Sequence, residues 1–321
     1  MAVALLLNQP AKDKTPAPVA TPAAALVAKA RALLDDDPLI TRSNVQLAEQ
    51  LSLEAIAKDT TNAEAYAAAA WANFRFIAER YDDSASRRAD LKNYAEKARL
   101  LAPDSVNAEL AMCGVLRANN RQADGIARLA ALAARVPDNF TVLREFAWAA
   151  AWGDGFDWGT GGKNEPEVLA KLAAFSPLGR AYADSIRASR HWVRGEYVEA
   201  DRLLDGIFAG GQPVRLAYLN RLLVLAFGWG DLPAAQAFVA KIPAKLLLED
   251  VFIRHVAYVW LYSGDYDKAL ATLDQSQREM LQEALINTPT ALIRGDALAA
   301  AGRPNAAAIQ WGEAVKVLDK L

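Results

Sequence analysis

Gly264-Asp265-Tyr266-Asp267-Lys268-Ala269 is one of four versions of a single phrase in this chain. The others are Gly195-Glu196-Tyr197-Val198-Glu199-Ala200, Gly230-Asp231-Leu232-Pro233-Ala234-Ala235 and Gly302-Arg303-Pro304-Asn305-Ala306-Ala307, so the glycines stand 35, 34 and 38 residues apart. A spacing near 35 residues is the period of a stacked helical hairpin, not of a single closed core. The phrase also has a local mechanical meaning. Glycine takes the left-handed conformation that ends a helix, Asp, Glu or Pro suits the first turn of the next, and Ala lets the two helices approach closely.

Outward from each glycine, the preceding residues carry a helical stripe. Leu219, Leu222, Leu223 and Ala226 before Gly230, and Ile253, Val256, Ala257 and Trp260 before Gly264, follow i, i+3, i+4, i+7 spacing. A second mark closes the unit at its far end. Pro103-Asp104-Ser105 and Pro137-Asp138-Asn139 stand 34 residues apart, each after an Ala-rich amphipathic run (Tyr94 to Ala102 and Ile126 to Val136). Proline stops one helix, and Asp, Ser or Asn caps the next.

With both marks in place, the chain resembles the tetratricopeptide repeat family, whose pattern runs from a first helix through Gly-x-Tyr-x-x-Ala to a terminal proline. Gly195, Tyr197, Ala200, Leu204 and Ile207 fit it, as do Gly264, Tyr266, Ala269 and Leu273, and Gly295, Gly302, Ala307, Trp311 and Ala314 in the last unit. The resemblance covers residues 43–321 and is looser at the amino end, where Thr60 stands in place of proline 43 residues before Pro103. It implies an all-α, right-handed α-solenoid of stacked antiparallel helix pairs, about six or seven hairpins over residues 22–321, preceded by an apolar start and a Pro/Ala-rich linker over residues 1–21. A similar region is carried by bacterial regulators beside a kinase, cyclase or DNA-binding module, none of which is present in this sequence.

Composition agrees. Hydrophobic residues make up 53% of the 321, led by Ala and Leu, and no segment shows the alternation of a strand. Formal net charge is −2, from 36 Lys+Arg against 38 Asp+Glu, which gives no electrostatic case for nucleic acid. The single cysteine, Cys113, excludes an internal disulfide and lies in a helical run, as a buried structural thiol would. A soluble chain of the cytoplasm or the periplasm is expected, and Cys113 does not decide between them.

At the start, Met1 to Leu7 is apolar but much shorter than the roughly 20 residues that cross a bilayer, so it is no stable span as it stands. Pro10, Pro16, Pro18 and Pro22 then mark a stiff, solvated linker. One reading makes Ala2 to Leu7 the end of a membrane tether lying upstream of residue 8. After the linker, a helix from Thr21-Pro22 through about Leu34 is ended by Asp35-Asp36-Asp37-Pro38, and a second runs from about Ser43 to Lys58, the pair shielding the first full repeat.

Two insertions interrupt the period. Glu79 to Asp90 is charged and reads as a solvated loop or helix extension. Trp152 to Asn164 combines glycines with Trp152, Phe156 and Trp158. Its Gly162-Lys163 lacks the leading glycine, the following Ser or Thr and the preceding strand of a phosphate-cradling loop, and Asp154 and Asp157 match no calcium loop. The loop reads as a cover on the solenoid, with a lip over a binding groove as the sharper alternative.

Catalysis finds little support. His191 and His255 lie in different repeats with no nucleophile motif beside either, no His or Cys pair has metal-ligand spacing, and adjacent carboxylates at Asp82-Asp83 and Glu249-Asp250 point apart on a helix. No cofactor or metal is expected. In proteins of this resemblance the first helices line the concave groove, and counting from the shared glycine places Trp71, Arg75, Arg144, Trp148 and Tyr182 on or near that wall. Ser189, Trp192, Asn220, Arg254 and Tyr258 follow in the later repeats. Asn220 and Arg254 do not complete the carboxylate clamp of the chaperone-binding members. The expectation is therefore a non-enzymatic interaction scaffold that binds a peptide or partner segment in its groove. The alternative is a small-molecule or glycan-binding solenoid with Trp148, Trp152, Trp158 and Trp192 as stacking platforms.

Overall fold

The computed structural model describes residues 21–36, 38–152, 165–282 and 286–320. The apolar start, most of the linker, and the Gly-rich loop with Trp158 lie outside them. Two helices, α1 (Pro22–Arg31) and α2 (Arg42–Lys58), come first. Then follow α3 (Ala63–Ala78) with α4 (Ala85–Leu101), α5 (Val106–Ala118) with α6 (Gln122–Arg135), and α7 (Phe140–Trp152) with α8 (Glu165–Phe175). The second half pairs α9 (Pro177–Val193) with α10 (Tyr197–Ala209) and α11 (Arg215–Leu223) with α12 (Leu232–Val239). After the short α13 (Ala244–Leu247) come α14 (Asp250–Tyr262) with α15 (Tyr266–Leu273), and α16 (Thr290–Ala300) with α17 (Pro304–Leu318).

The quoted phrase does at each corner what its residues dictate. Gly264 has φ 79°, the Asp265 amide reaches back to the Trp260 carbonyl at 2.9 Å, and the Asp265 carboxylate accepts from the Lys268 amide at 3.3 Å. One helix is thereby closed and the next capped within two residues. Gly195, Gly230 and Gly302 share the positive φ. Two earlier corners make the same turn without glycine. Arg80 (φ 60°) and Asn120 (φ 58°) take the left-handed place, and the amides of Tyr81 and Arg121 reach back to the carbonyls of Phe76 and Leu116.

Second helices pack on the first helices to either side, while first helices also touch one another, α3 on α5, α7 on α9, α9 on α11 and α14 on α16. The side on which neighbours come closer is the inner side of the curve, so the first helices form the concave wall. Ala-rich faces make this approach feasible: Ala65, Ala68, Ala72, Ala111, Ala147 and Ala183 are fully buried.

The strand-free expectation needs one correction. The α15 to α16 connection holds a short antiparallel ribbon, β1 (Met280–Gln282) with β2 (Asn287–Pro289), in which Leu281 pairs with Thr288 and is buried. Three residues are too few to show the alternation that marks a strand in sequence. The ribbon also occupies the interval that is 38 residues long instead of 34 or 35.

Candidate functional site

The first-helix wall of the amino-terminal half is built of arginine around one carboxylate. Glu145, on α7, is 2% exposed and receives Arg75 Nη2 of α3 at 2.5 Å, Arg144 Nη2 at 3.3 Å and Arg117 Nη1 of α5 at 3.6 Å. Each guanidinium also lies on a ring: Arg75 over Trp71 (5.3 Å), Arg117 over Phe74 (4.8 Å) and Arg144 over Tyr182 (5.6 Å). Burial opposes charge on Glu145, but Arg75, Arg144 and Arg117 outweigh it and hold the carboxyl below its ordinary range. Burial also lowers Arg117, whereas at Arg144 it is overcome by Tyr182, Glu145 and Asp35 and the group is raised. Arg117 and Glu145 were missed by sequence reasoning. For Glu145 a signal was present, since Arg144-Glu145 is the only charged pair in the run of Phe140–Trp152; Arg117, near the end of α5, had none.

This part of the wall is covered by the chain itself. Residues 31–36 and 38–42, the end of α1 with a π-helical turn (Ala32–Asp36) and the start of α2, run along the groove and meet successive repeats. Arg31 donates to Asn107 Oδ1 at 2.8 Å, Arg144 Nη1 donates to the Asp35 carbonyl at 2.6 Å, and the Arg215 amide donates to the Pro38 carbonyl at 3.0 Å. Leu39 packs on the core around Leu222, Phe238 and Phe252, and the Arg42 amide donates to Glu249 Oε1 at 3.0 Å. Asp35 completes the ion network through Arg31 (2.7 Å) and Arg144 (3.6 Å).

The charged insertion after α3 is solvated from Asp83 to Ser86 and runs into α4 at Ala85, as a loop and helix extension would, but its first residues are tied into the fold. Tyr81 is buried and donates its hydroxyl to Glu249 Oε2 at 2.5 Å, across 168 residues of sequence. Arg215 pairs with Glu79 at 2.6 Å and approaches Glu249 at 3.8 Å, while Arg278 donates to the Tyr81 carbonyl and pairs with Asp250. The superhelix thus returns to touch its own start, which no local pattern encodes. Burial raises the Glu249 carboxyl despite Arg215, and raises the Tyr81 hydroxyl strongly. A cavity of about 190 Å³ opens beside this junction between Arg42, Tyr81, Glu249 and Arg278.

Farther along, the wall is differently furnished. Tyr258 and Tyr262 stack at 5.7 Å on α14, and Phe227 contacts His255 at 5.9 Å and Tyr262 at 6.2 Å, with Tyr262 58% exposed. Arg254 donates to the Ile286 carbonyl at 3.2 Å. Trp148 is exposed and lies 6.0 Å from Trp152, which carries Arg190 over its ring at 4.7 Å. Trp192 packs partly buried between α9 and α10. Trp71 is 1% exposed within the core, and Asn220 and Ser189 bond each other at 2.9 Å inside the α9 to α11 contact.

For chemistry the arrangement offers little. His191 pairs with Glu196 at 2.6 Å, and burial pushes the Cys113 thiol up to about 12. Among the described residues, no group of three His, Cys, Asp or Glu is placed to hold a metal ion, and no helix is long and apolar enough to cross a membrane.

No family model and no curated protein matches the chain. Solved structures do. A human IFIT1 dimer with m7Gppp-AAAA aligns at a TM-score of 0.56 and 14% identity, over 93% of this chain and 72% of that one. Yeast Tom70 aligns at 0.51 and 12% identity, over 98% of this chain and 70% of its own. Both are built of tetratricopeptide repeats. This chain has the tetratricopeptide repeat fold. Within a tetratricopeptide solenoid, the arginine wall and the aromatic stretch on α14 are both carried by first helices, and the covering segment is seated against them.

Proposed function

We propose that the protein is a non-enzymatic scaffold that holds a peptide or partner segment in its concave groove. The observation that carries this reading is the seating of residues 31–42, which meet first helices at Asn107, Arg144 and Arg215 within a dozen residues of chain. A wall that accommodates one peptide in this way has the pockets and donors for another. Phe227 and Tyr262 are exposed beside it, with half-buried Tyr258 stacked on Tyr262, an aromatic surface of the residue types that carry interface energy. IFIT1 is solved with a capped RNA, but here the groove arginines are paired with Glu145, Glu79 and Asp35, and the formal net charge is −2, which favours a peptide over a polyanion.

Selection of a displayed peptide library on the immobilised full chain tests the reading. Peptides are expected to be enriched, with affinity falling about tenfold or more in a Tyr258→Ala/Tyr262→Ala variant, the loss of two interface aromatics. Enrichment of no peptide, together with a thermal shift from a glycan that depends on Trp148, would favour the stacking-platform alternative and overturn the scaffold.

A further inference from the structure

Resting on the groove reading, we infer that residues 31–42 are a built-in occupant of the groove, and that the partner competing with them presents an acidic residue flanked by apolar ones. Charge complementarity comes first. On the wall itself, Arg75, Arg117 and Arg144 gather on Glu145, and Glu79 lies 4.0 Å from Arg75, so three guanidiniums face two carboxylates and an uncovered wall carries more positive than negative charge. The chain supplies the missing anion from Asp35, at the head of Asp35-Asp36-Asp37, with Leu34 before it and Leu39 and Ile40 after Pro38. Leu34 is 1% exposed, and Leu39 and Ile40 pack on the two large cores, so apolar and acidic parts are both read.

The fit of the covering segment is also incomplete. Among the described residues, the donors Trp71 Nε1, Arg75 Nε and Arg117 Nε of the first helices, and Arg31 Nη1 of the segment itself, are buried without a hydrogen bond. Buried donors left so cost free energy, and the three on the first helices are of the kind a carboxylate accepts from. The turn that presents Asp35 is π-helical, a rare geometry. A better-matched acidic segment would therefore gain bonds that the built-in one does not make. Until it does, the covering segment lowers apparent affinity by the fraction of molecules in which the groove is closed.

The experiment uses the full chain and a synthetic peptide of residues 30–42 (Ala-Arg-Ala-Leu-Leu-Asp-Asp-Asp-Pro-Leu-Ile-Thr-Arg), beside a version with Lys at the three Asp positions. Hydrogen exchange on the unaltered protein reads the Arg42 amide, which bonds to Glu249 and leaves it when the segment is displaced. The acidic peptide in excess is expected to speed its exchange, and the lysine version to leave it unchanged. In Asp35→Ala the peptide should bind about tenfold tighter than in the parent, the worth of one buried charge-assisted contact, and Arg144→Ala in that background should abolish the gain. Unchanged exchange of the Arg42 amide overturns the inference, whether or not Asp35→Ala folds. Binding that Tyr258→Ala/Tyr262→Ala removes but Arg144→Ala does not would sink the built-in occupant while leaving the groove reading intact.

Discussion

At Gly264 the left-handed backbone (φ 79°) is free of cost only because no Cβ is present. Gly264→Ala is expected to lower the unfolding free energy by about 1 kcal/mol, although a Cβ there would meet nothing within 4 Å, so the loss is backbone strain alone. Arg80 adopts the same conformation at φ 60° and already carries that strain. Its side chain pairs with Asp83 at the surface, where such a pair contributes little. Arg80→Gly should therefore raise stability, by up to about 1 kcal/mol. Urea titrations with an unchanged slope would verify both signs. The corner at Arg80 was illegible in sequence because the usual residue is missing, whereas Gly195, Gly230, Gly264 and Gly302 spell theirs out.

Between elements, two contacts dominate the packing. A Cβ on Gly295 of α16 would come within 2.3 Å of the Trp311 ring on α17, whose Nε1 donates to Asp296 at 3.0 Å. Gly295→Ala must displace that ring, at a cost of about 1–3 kcal/mol, and the Trp311 fluorescence should shift red as the indole is exposed. On the wall, Glu145 ties α3, α5 and α7 together through three guanidiniums. Glu145→Ala takes the carboxylate from buried Arg117 and leaves Arg75 and Arg144 with only Glu79 and Asp35, and should cost about 3–5 kcal/mol. The carboxyl's lowered pKa fixes the sign with pH. Its stabilisation is complete above the ordinary value of 4.5 and is lost as pH falls through the lower folded value, so Glu145→Gln should flatten the acid limb of a stability profile. The apolar stripes of these helices were legible from spacing; the ion network was not, because Arg75, Arg117 and Arg144 lie on different repeats.

For the whole molecule, the junction at Tyr81, Arg215 and Glu249 joins one end of the superhelix to the other. Glu249 is shifted the opposite way from Glu145. Between 4.5 and its raised folded value, the native chain keeps a proton that the unfolded chain releases, so stability falls as pH rises through that window. Glu249→Gln, facing the same Arg42 amide, Tyr81 hydroxyl, Arg215 and Glu79, should remove that fall, seen as equal melting midpoints across the window. Tyr81→Phe should leave the helical content unchanged while speeding hydrogen exchange at the Arg42 amide, because only the closure is loosened.

The period of the glycine phrase, the caps beside it and the amphipathic stripes are local, and local interactions acting every 34 to 38 residues suffice to specify a pile of helical hairpins with a first-helix wall. What fills that wall is a different matter. Asp35 against Arg144, Pro38 against Arg215 and Tyr81 against Glu249 join residues 109 to 177 positions apart, and only the accumulated rotation from one hairpin to the next brings them together. Each hairpin's sequence specifies its own shape. The curvature summed over all of them decides that the groove is already occupied.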